Sequence, residues 1–572
     1  MNAHEAIDIV GDSDEEMEDV EEKPMLASLV HEQGGHHIEI QNKDLNTVEW
    51  LLKDPVIRQA IKKGIQGWKP APVAEWNVDG EPADGPEEAL GVECFPIDPS
   101  QVDQVRQRAI ELGHPLAEEY DFQSDHSIPN LPPIHLKPET KIRTYQSRAL
   151  SQMLGSGRAR SGMIVLPCGA GKTLTGVTAA HTIKKSVLCL TTNAVSVRQW
   201  KEQFQKWTTI KDSHIAVFTA NSKRANLPES CILISTYQMI AHSGERAAES
   251  KAIMDRIQKQ NWGLLLMDEA HVVPAPEYRR AIQSIKARCK LGLTATMVRE
   301  DGKIADLRPL IGPTLYEAKW KDLTAQGYLA NVKCLEVWCP MTPDFADAYK
   351  KEPKQRSKMR LCGVNPNKLR AVEMLVRYHE SQGDKIIVFS DCIFTLEVFA
   401  VMLERPYLYG QTKEWEREFW LGEFRKDTRE VPTILLSKIG DVAIDLPKAN
   451  VLIQVTSHDA SQRQEAQRLG RILRPKFGDN ASFDAFFYTL VCTQTKEMGY
   501  CKDRRQYLVD QGYSFEVVEK LCDKANGLAV GEKYAYATPK DDYELLQEAL
   551  KENIRRAQKE GGGRKRPARH DR

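Results

Sequence analysis

The sequence predicts an α/β protein with two parallel-sheet lobes behind a small N-terminal domain. Three observations carry that prediction. From about residue 139, short apolar, β-branched runs alternate with amphipathic helical segments, the rhythm of a sheet covered on both faces. The same rhythm resumes after about residue 367. Between the first lobe's opening strand and its helix stands a glycine-rich turn, LPCGAGKT (166–173).

Taken in order, residues 1–27 are acidic and poor in large apolar groups, which predicts a disordered tail. Residues 28–128 form a small, interrupted N-terminal domain, with helical patterns in LNTVEWLLKDPVIRQAIKK and SQVDQVRQRAIEL. SIPNLPPIHLKP (127–138) has linker composition. The first lobe is expected over 129–318. GMIVLP, SVLCLTT, HIAVFT, CILIST, GLLLMD and LGLTAT are its strands. TLTGVTAAHTIKK, SVRQWKEQFQKW and YRRAIQSIKARCK are its helices. A connector over 319–366 precedes the second lobe, 367–530, whose strands are KIIVFS, PYLYG, TILLS, VLIQVTS and AFFYTLV. A C-terminal helix and basic tail fill 531–572. No sequence repeat of 20–50 residues is present, and the lobes are not copies of each other.

Composition narrows the class. A chain of 572 residues is too long for one core. Its 41% hydrophobic and 28% charged residues fit a globular protein. No apolar run approaches the roughly 18 residues that span a bilayer, so no membrane is expected. The N-terminus lacks the apolar core of a secretion signal. Twelve cysteines lie scattered without a CxxC pair, which argues against a disulfide framework or a zinc motif and for a reducing compartment. The net charge of −1 hides polarity: residues 11–22 hold eight acids, and the last twelve residues hold five bases. Local patches decide nucleic-acid binding, so the near-neutral total does not exclude it.

The chemistry gathers in a few motifs. In LPCGAGKT, a glycine-rich turn opening a helix lets backbone N–H groups surround phosphates. Leu166, Pro167, Cys168, Gly169, Ala170, Gly171, Lys172 and Thr173 are therefore read as an ATP cradle. Lys172 reaches the β- and γ-phosphates and Thr173 holds Mg²⁺. LLLMDEAH (264–271) delivers two carboxylates to the sheet's carboxyl edge, where ligands bind in open α/β folds. Asp268 is expected to hold Mg²⁺, and Glu269 to orient and deprotonate the attacking water. In the second lobe, QRLGRILR (467–474) puts Arg471 and Arg474 on one helix face as arginine fingers, with Gln467 reporting the γ-phosphate. Asp445 in SKIGDVAIDLP, and Arg143 and Gln146 in RTYQ, complete the nucleotide set. Ser196 in NAVSVRQW and Thr236 in ISTYQM are placed on DNA phosphates. His271, Thr294 and Thr296 are assigned to coupling, and Arg299, Glu300 and Asp301 to the DNA side or the second lobe.

At this point the motifs resemble one family. Their order, together with VLPCGAGKTL, KLGLTATMVREDGKI, LIGPTLYEA, PNKLRAVEMLVRYH, DKIIVFSD, ANVLIQ and RRQYLVDQGYSF, is similar to the XPB/Ssl2 family. Those are superfamily 2 DNA helicase/translocases of the transcription and repair factor TFIIH. The resemblance covers about residues 130–520, and a shorter piece (LLKDPVIRQ, HPLAEEYDF) is similar to the family's damage-recognition region. It implies RecA-like lobes, a thumb-like insertion, 3′-to-5′ translocation on single-strand and duplex DNA, and TFIIH subunits as partners in the nucleus. It also implies the Arg299-Glu300-Asp301 element. Where family members usually have Asp-Glu-Val-His, Ala270 stands third, at a position that ligates nothing. Family members also carry a longer N-terminal region, so the resemblance is to a short form. It leaves a repair role, a transcription role or both, with a repair-only paralogue outside TFIIH as the alternative within the family. The rivals are a DEAH-type RNA helicase and a DNA-bound scaffold with a vestigial motor. The Arg-Glu-Asp stretch speaks against the first, and the complete ATPase motif set against the second.

Three charged or tail segments keep two readings each. YKKEPKQRSKMR (349–360), with six bases and one acid, is a thumb's phosphate-gripping surface or a solvated loop. Ile7-Asp8-Ile9-Val10, followed by acids, is a SUMO-binding strand or a featureless acidic tail. GRKRPARH (563–570) is a nuclear localisation signal or a basic end touching DNA.

Overall fold

The computed structural model describes residues 27–32, 35–40, 53–62, 93–112, 116–155, 157–220, 228–295, 307–426, 428, 430–437, 446, 449–456, 485–510, 513–519, 521 and 534–562. They divide into two units, the first ending at Glu119 and the second beginning at Tyr120.

The N-terminal unit is a small sheet with helices on one face. Strands β1 (Ala27–Glu32), β2 (Gly35–Ile40) and β3 (Glu93–Ile97) are antiparallel, and β4 (Ala117–Tyr120) lies on the far side of β1. Leu29 and Ile38 stand opposite each other and bury one sheet face against Ile57, Val105 and Ala109. Those last three come from the helices Pro55–Lys62 and Val102–Glu111, both within patterns legible in the sequence. Asp54 joins the two helices. Its Oδ1 accepts from the amides of Val56 and Ile57 at 2.9 and 3.1 Å, and its Oδ2 accepts from Arg108 Nε at 2.8 Å.

In the second unit, β5 (Ala159–Arg160) leads into β6 (Gly162–Val165). The first lobe continues with β7 (Val187–Thr191), β8 (Ile215–Phe218), β9 (Ile232–Thr236), β10 (Trp262–Asp268), β11 (Ala287–Thr294) and β12 (Thr314–Glu317). Seven of these pair in parallel, in the order β12-β6-β11-β10-β7-β9-β8. The central strands are buried on both faces, which is why they appear in sequence as unbroken apolar runs. Register then fixes the site. Val165 pairs with Thr294 and Asp268 with Leu293, so the ends of β6, β10 and β11 reach one sheet edge together.

The proposed linker is bonded along this lobe. Asn130 bridges Lys185 and Leu136 bridges Thr208. The buried Lys185 donates to the carbonyls of Asp125 and Ile128 at 2.5 and 3.1 Å.

The second lobe holds β13 (Val332–Trp338), β14 (Ile386–Phe389), β15 (Tyr407–Leu408), β16 (Thr433–Leu436), β17 (Val451–Gln454), β18 (Ala485–Val491) and β19 (Ser514–Val518). All seven are parallel, in the order β15-β16-β14-β17-β18-β13-β19. This corrects one boundary. The segment expected to be a connector over 319–366 contains β13, which pairs along its length with β18. Charge hid that strand. Glu336 is buried in it, where it accepts from Arg505 Nη2 at 2.9 Å and Trp338 Nε1 at 2.8 Å.

The basic stretch 349–360 is mostly helical, with residues 352–354 joining two helices. It runs through the helices Pro343–Lys351 and Gln355–Gly363, and Arg360 Nε donates to Asn553 of the C-terminal helix Pro539–Gly562 at 2.5 Å. Lys358 lies over the Tyr349 ring, 4.9 Å from its centre. Among the described residues no helix is long and apolar enough to cross a membrane, and no disulfide joins the described cysteines.

Candidate functional site

The phosphate-cradle candidate begins where β6 ends. Leu166 is buried, and its amide donates to the Thr294 carbonyl at 3.0 Å, tying the turn to the end of β11. The chain closes on itself when the Ala170 amide donates to the Pro167 carbonyl at 3.1 Å. Gly171 then takes φ 80°, a left-handed conformation that is strained for any other residue. A Cβ there would also sit 2.5 Å from Gln146 Nε2. From this cap the helix Lys172–Ile183 starts, and its first-turn amides have no partner within the helix. That end carries the positive pole of the helix dipole, so the turn is built for an anion.

Lys172 opens the helix, and its Nζ donates to the Leu166 carbonyl at 3.5 Å. Burial alone would lower its pKa, yet the nearby Cys168, Glu269 and Asp268 raise it above its ordinary value. The ammonium therefore stays charged inside the fold. Thr173 follows at the next helical position, half-buried.

Asp268 ends β10 and is held from three sides. Trp200 Nε1 donates to its Oδ2 at 2.9 Å. The Glu269 amide donates to its Oδ1 at 3.1 Å, and the buried Tyr237 hydroxyl donates to its carbonyl at 2.8 Å. Burial first, and the Glu269 charge second, push the Asp268 carboxyl up to about 6, while the Trp200 bond and Lys172 pull it down. Trp200 reaches this position because Gly176 leaves room for it. A Cβ on Gly176 would lie 2.8 Å from the Trp200 ring.

Glu269 adopts φ 51° and ψ 52°, a left-handed backbone that costs a non-glycine residue about 1–2 kcal/mol. Beside it, His271 is buried. His271 Nδ1 lies 3.3 Å from Glu269 Oε2 and 2.9 Å from the Thr294 hydroxyl. Glu269, His271 and Thr294 thus form one chain from the acid pair to the end of β11.

Other expected residues make hydrogen bonds within the protein. Gln146 is buried, and its Nε2 donates to the carbonyls of Ala170 and Gly171 at 3.1 and 3.2 Å, bracing the glycine-rich turn. Arg143 stands at the N-cap position of the helix Thr144–Leu154, and its amide donates to Gln146 Oε1 at 2.9 Å. Its Nη1 donates to the Tyr145 hydroxyl at 3.1 Å and to the Tyr328 carbonyl at 3.2 Å, and its guanidinium lies 5.5 Å from the centre of the Tyr328 ring. The Tyr145 hydroxyl donates to Ala170 at 2.7 Å. Thr236, expected on a DNA phosphate, uses its hydroxyl to cap the helix Tyr237–Ala241, accepting from the Met239 amide at 3.1 Å. Ser196 sits in the first turn of the helix Ala194–Trp207, which Asn193 caps through the Ser196 amide at 3.0 Å. That helix lies far from Asp268 in sequence, yet its Trp200 ends on Asp268. Trp200, Tyr237, Tyr145 and Tyr328 were not identified from the sequence. Thr296, Arg299, Glu300, Asp301, Asp445, Gln467, Arg471 and Arg474 lie outside the described residues, as do Ile7–Val10 and 563–570.

The oxygen set of Thr173 and Asp268 fits Mg²⁺, which takes hard oxygen donors and few of them from protein. Together with the cradle, Lys172 and Glu269, the arrangement has the parts that phosphoryl transfer to water requires.

Comparisons with known proteins agree with this architecture. Residues 139–299 match the family model for the type III restriction enzyme res subunit, and residues 323–570 match the ERCC3/RAD25/XPB C-terminal helicase model. The chain is 52% identical over 458 residues to the general transcription and DNA repair factor IIH helicase/translocase subunit XPB of Dictyostelium discoideum, covering 80% of this chain and 56% of that protein. It is 49% identical over 475 residues to the subunit XPB/SSL2 of Saccharomyces cerevisiae, covering 83% of this chain and 56% of that protein. The chain thus spans a little over half the length of these curated relatives. Among solved structures, the ATP-dependent type ISP restriction-modification enzyme LlaBIII bound to DNA superposes with a TM-score of 0.50 at 14% identity, covering 73% of this chain and 33% of that one. That likeness shows a shared fold.

Proposed function

The chain belongs to the XPB/Ssl2 helicase family, and from that premise we propose that it is an ATP-dependent DNA helicase/translocase. It moves 3′ to 5′ on DNA and opens duplex in nucleotide excision repair, transcription initiation or both, in the nucleus and with TFIIH subunits as partners. The observation that carries the reading is the meeting of Lys172, Asp268 and Glu269 at one sheet edge, beside the amides of a helix N-terminus.

Each residue's part follows from its chemistry. The first-turn amides and the Lys172 ammonium take the phosphates of ATP. Mg²⁺, held by Thr173 and Asp268, neutralises phosphate charge when bound. Glu269 orients the attacking water and accepts its proton at the carboxylate. Because Glu269 and Thr294 share His271, a change at the nucleotide reaches the end of β11. From there the chain continues into Thr296 and then Arg299, Glu300 and Asp301. These are read as the coupling to DNA or to the second lobe, where an arginine answers a phosphate and the acids limit sticking. Asp445, Gln467, Arg471 and Arg474 of the second lobe contribute the remaining contacts to ATP, with the arginines stabilising transition-state charge.

Lys172→Ala tests the assignment. Hydrolysis is expected to fall by at least about 10²-fold, the usual loss when a transition-state charge partner is removed. DNA binding, read by fluorescence anisotropy, is expected to stay within a few-fold. An ATPase rate like the wild type's would refute the site.

A further inference from the structure

In the N-terminal unit, β2 and β3 bring three metal-ligating side chains together outside the nucleotide site. Residues directly opposite in an antiparallel ladder share a sheet face. Glu39 of β2 stands opposite Cys94 of β3, and His37 stands opposite Pro96, one step along the same face. The other face carries Leu29 and Ile38 into the core between the helices, so this trio is not part of that core. His37 and Glu39 are buried, at 0% and 4% exposure, and Cys94 is partly so. The imidazole, carboxylate and thiol donor atoms all lie within 4.8 Å of one another.

We propose that His37, Glu39 and Cys94 bind a single zinc ion. The donor set selects the metal. A thiolate and an imidazole exclude Mg²⁺ and Ca²⁺, which take oxygen ligands, and together with a carboxylate they suit Zn²⁺. Charge balances as well. One thiolate, one carboxylate and one neutral imidazole neutralise a divalent ion, which removes the penalty for burying a net charge. Distance requires only a small adjustment. Tetrahedral zinc, with bonds of about 2.0–2.3 Å, sets its ligands about 3.3–3.8 Å apart, so the trio closes by about an ångström through side-chain rotation. The fourth position falls to water or to the hydroxyl of Ser28, which stands opposite Glu39 on β1.

A second trio shows what a poor zinc site looks like in the same chain. Cys362, Cys492 and Glu497 also converge within 4.8 Å. There the Lys368 ammonium already donates to both Glu497 oxygens, at 3.1 and 2.8 Å, and Asn365 Nδ2 donates to Cys492 Sγ at 3.4 Å. A cation occupies the place a metal would take.

The test uses the full chain, purified without affinity metal and passed through gel filtration. Elemental analysis is expected to find about one zinc per chain. Added Co²⁺ is expected to give tetrahedral visible bands with a thiolate charge-transfer band. Cys94→Ser, a near-isosteric change, is expected to lose the charge-transfer band and to weaken metal affinity at least tenfold, whereas Cys362→Ser is expected to retain both. Metal-free wild type that gives no thiolate band with Co²⁺ overturns the proposal without reference to any variant. So does a band that survives Cys94→Ser or disappears in Cys362→Ser.

Discussion

The Trp200 indole N–H donates to the Asp268 carboxylate at 2.9 Å, joining the helix Ala194–Trp207 to the acid pair. Ser196, the candidate phosphate contact, lies one turn earlier on the same helix. The bond therefore links a helix proposed to face DNA to an oxygen proposed to hold Mg²⁺. A hydrogen bond to a charged group contributes about 1.5–3 kcal/mol. Trp200→Phe keeps a ring against Gly176 and removes only the donor. Affinity for Mg²⁺-dependent nucleotide binding, measured with a fluorescent ATP analogue, is expected to fall at least about tenfold. Binding measured with EDTA present is expected to change little. A purely structural Trp200 would weaken both equally.

The link from Glu269 through His271 to Thr294 predicts uncoupling. In His271→Ala the acid pair remains, but the contact to Thr294 at 2.9 Å is gone. Basal ATP hydrolysis is expected to persist within a few-fold while stimulation by duplex DNA is lost. Equal loss of both rates would mean that His271 only supports Glu269.

Much of this arrangement was legible in the sequence, and the reason is physical. Strands buried on both faces, such as β10, appear as uninterrupted apolar runs, and the residues after them reach the carboxyl edge wherever the sheet is parallel. Trp200 was not legible, because its partner is far along the chain and nothing local marks an indole that points inward. β13 was missed because Lys333 and Glu336 interrupt its pattern, and their partners, Glu516 and Arg505, come from the last part of the lobe. Thr236 and Gln146 read in sequence as contacts to DNA and nucleotide, and their hydrogen bonds turn inward to a helix cap and the glycine-rich turn.

The second lobe contains a buried ion pair whose loss is predicted to be costly. Lys368 is fully buried and donates to Val455 at 2.7 Å as well as to Glu497. Removing one partner strands the other charge, at a cost of about 3–5 kcal/mol. Lys368→Met and Glu497→Gln are each expected to lower the thermal midpoint of unfolding. The double variant is expected to lose less than the two singles summed.

Acid should loosen the segment that leads into the first lobe. Burial alone would raise the Asp125 carboxyl, but bonds from the Ser127 hydroxyl and amide and from the Tyr120 hydroxyl hold it below its ordinary value. A carboxyl lowered by folding contributes stability that is present above its unfolded pKa, near ~3.9, and is lost as pH falls through the folded value. Asp125→Asn is expected to melt earlier than the wild type at pH 6. The gap should narrow below about pH 4.

The Arg299-Glu300-Asp301 triplet, proposed to couple to DNA, begins five residues after the end of β11 in sequence. Replacing all three with alanine is expected to leave ATP binding intact and to reduce strand displacement and DNA stimulation together. Normal unwinding by that variant would return the triplet to the status of a solvated loop.

The most direct test of the motor reading is steady-state ATP hydrolysis by the full chain, with and without duplex DNA, for the wild type and Glu269→Gln. The wild type is expected to be stimulated by DNA. Glu269→Gln, which keeps the shape of the side chain and removes the base, is expected to bind Mg²⁺-ATP yet hydrolyse it at least about 10²-fold more slowly with DNA present. Hydrolysis by Glu269→Gln at the wild-type rate, or a wild type indifferent to DNA, would contradict the account.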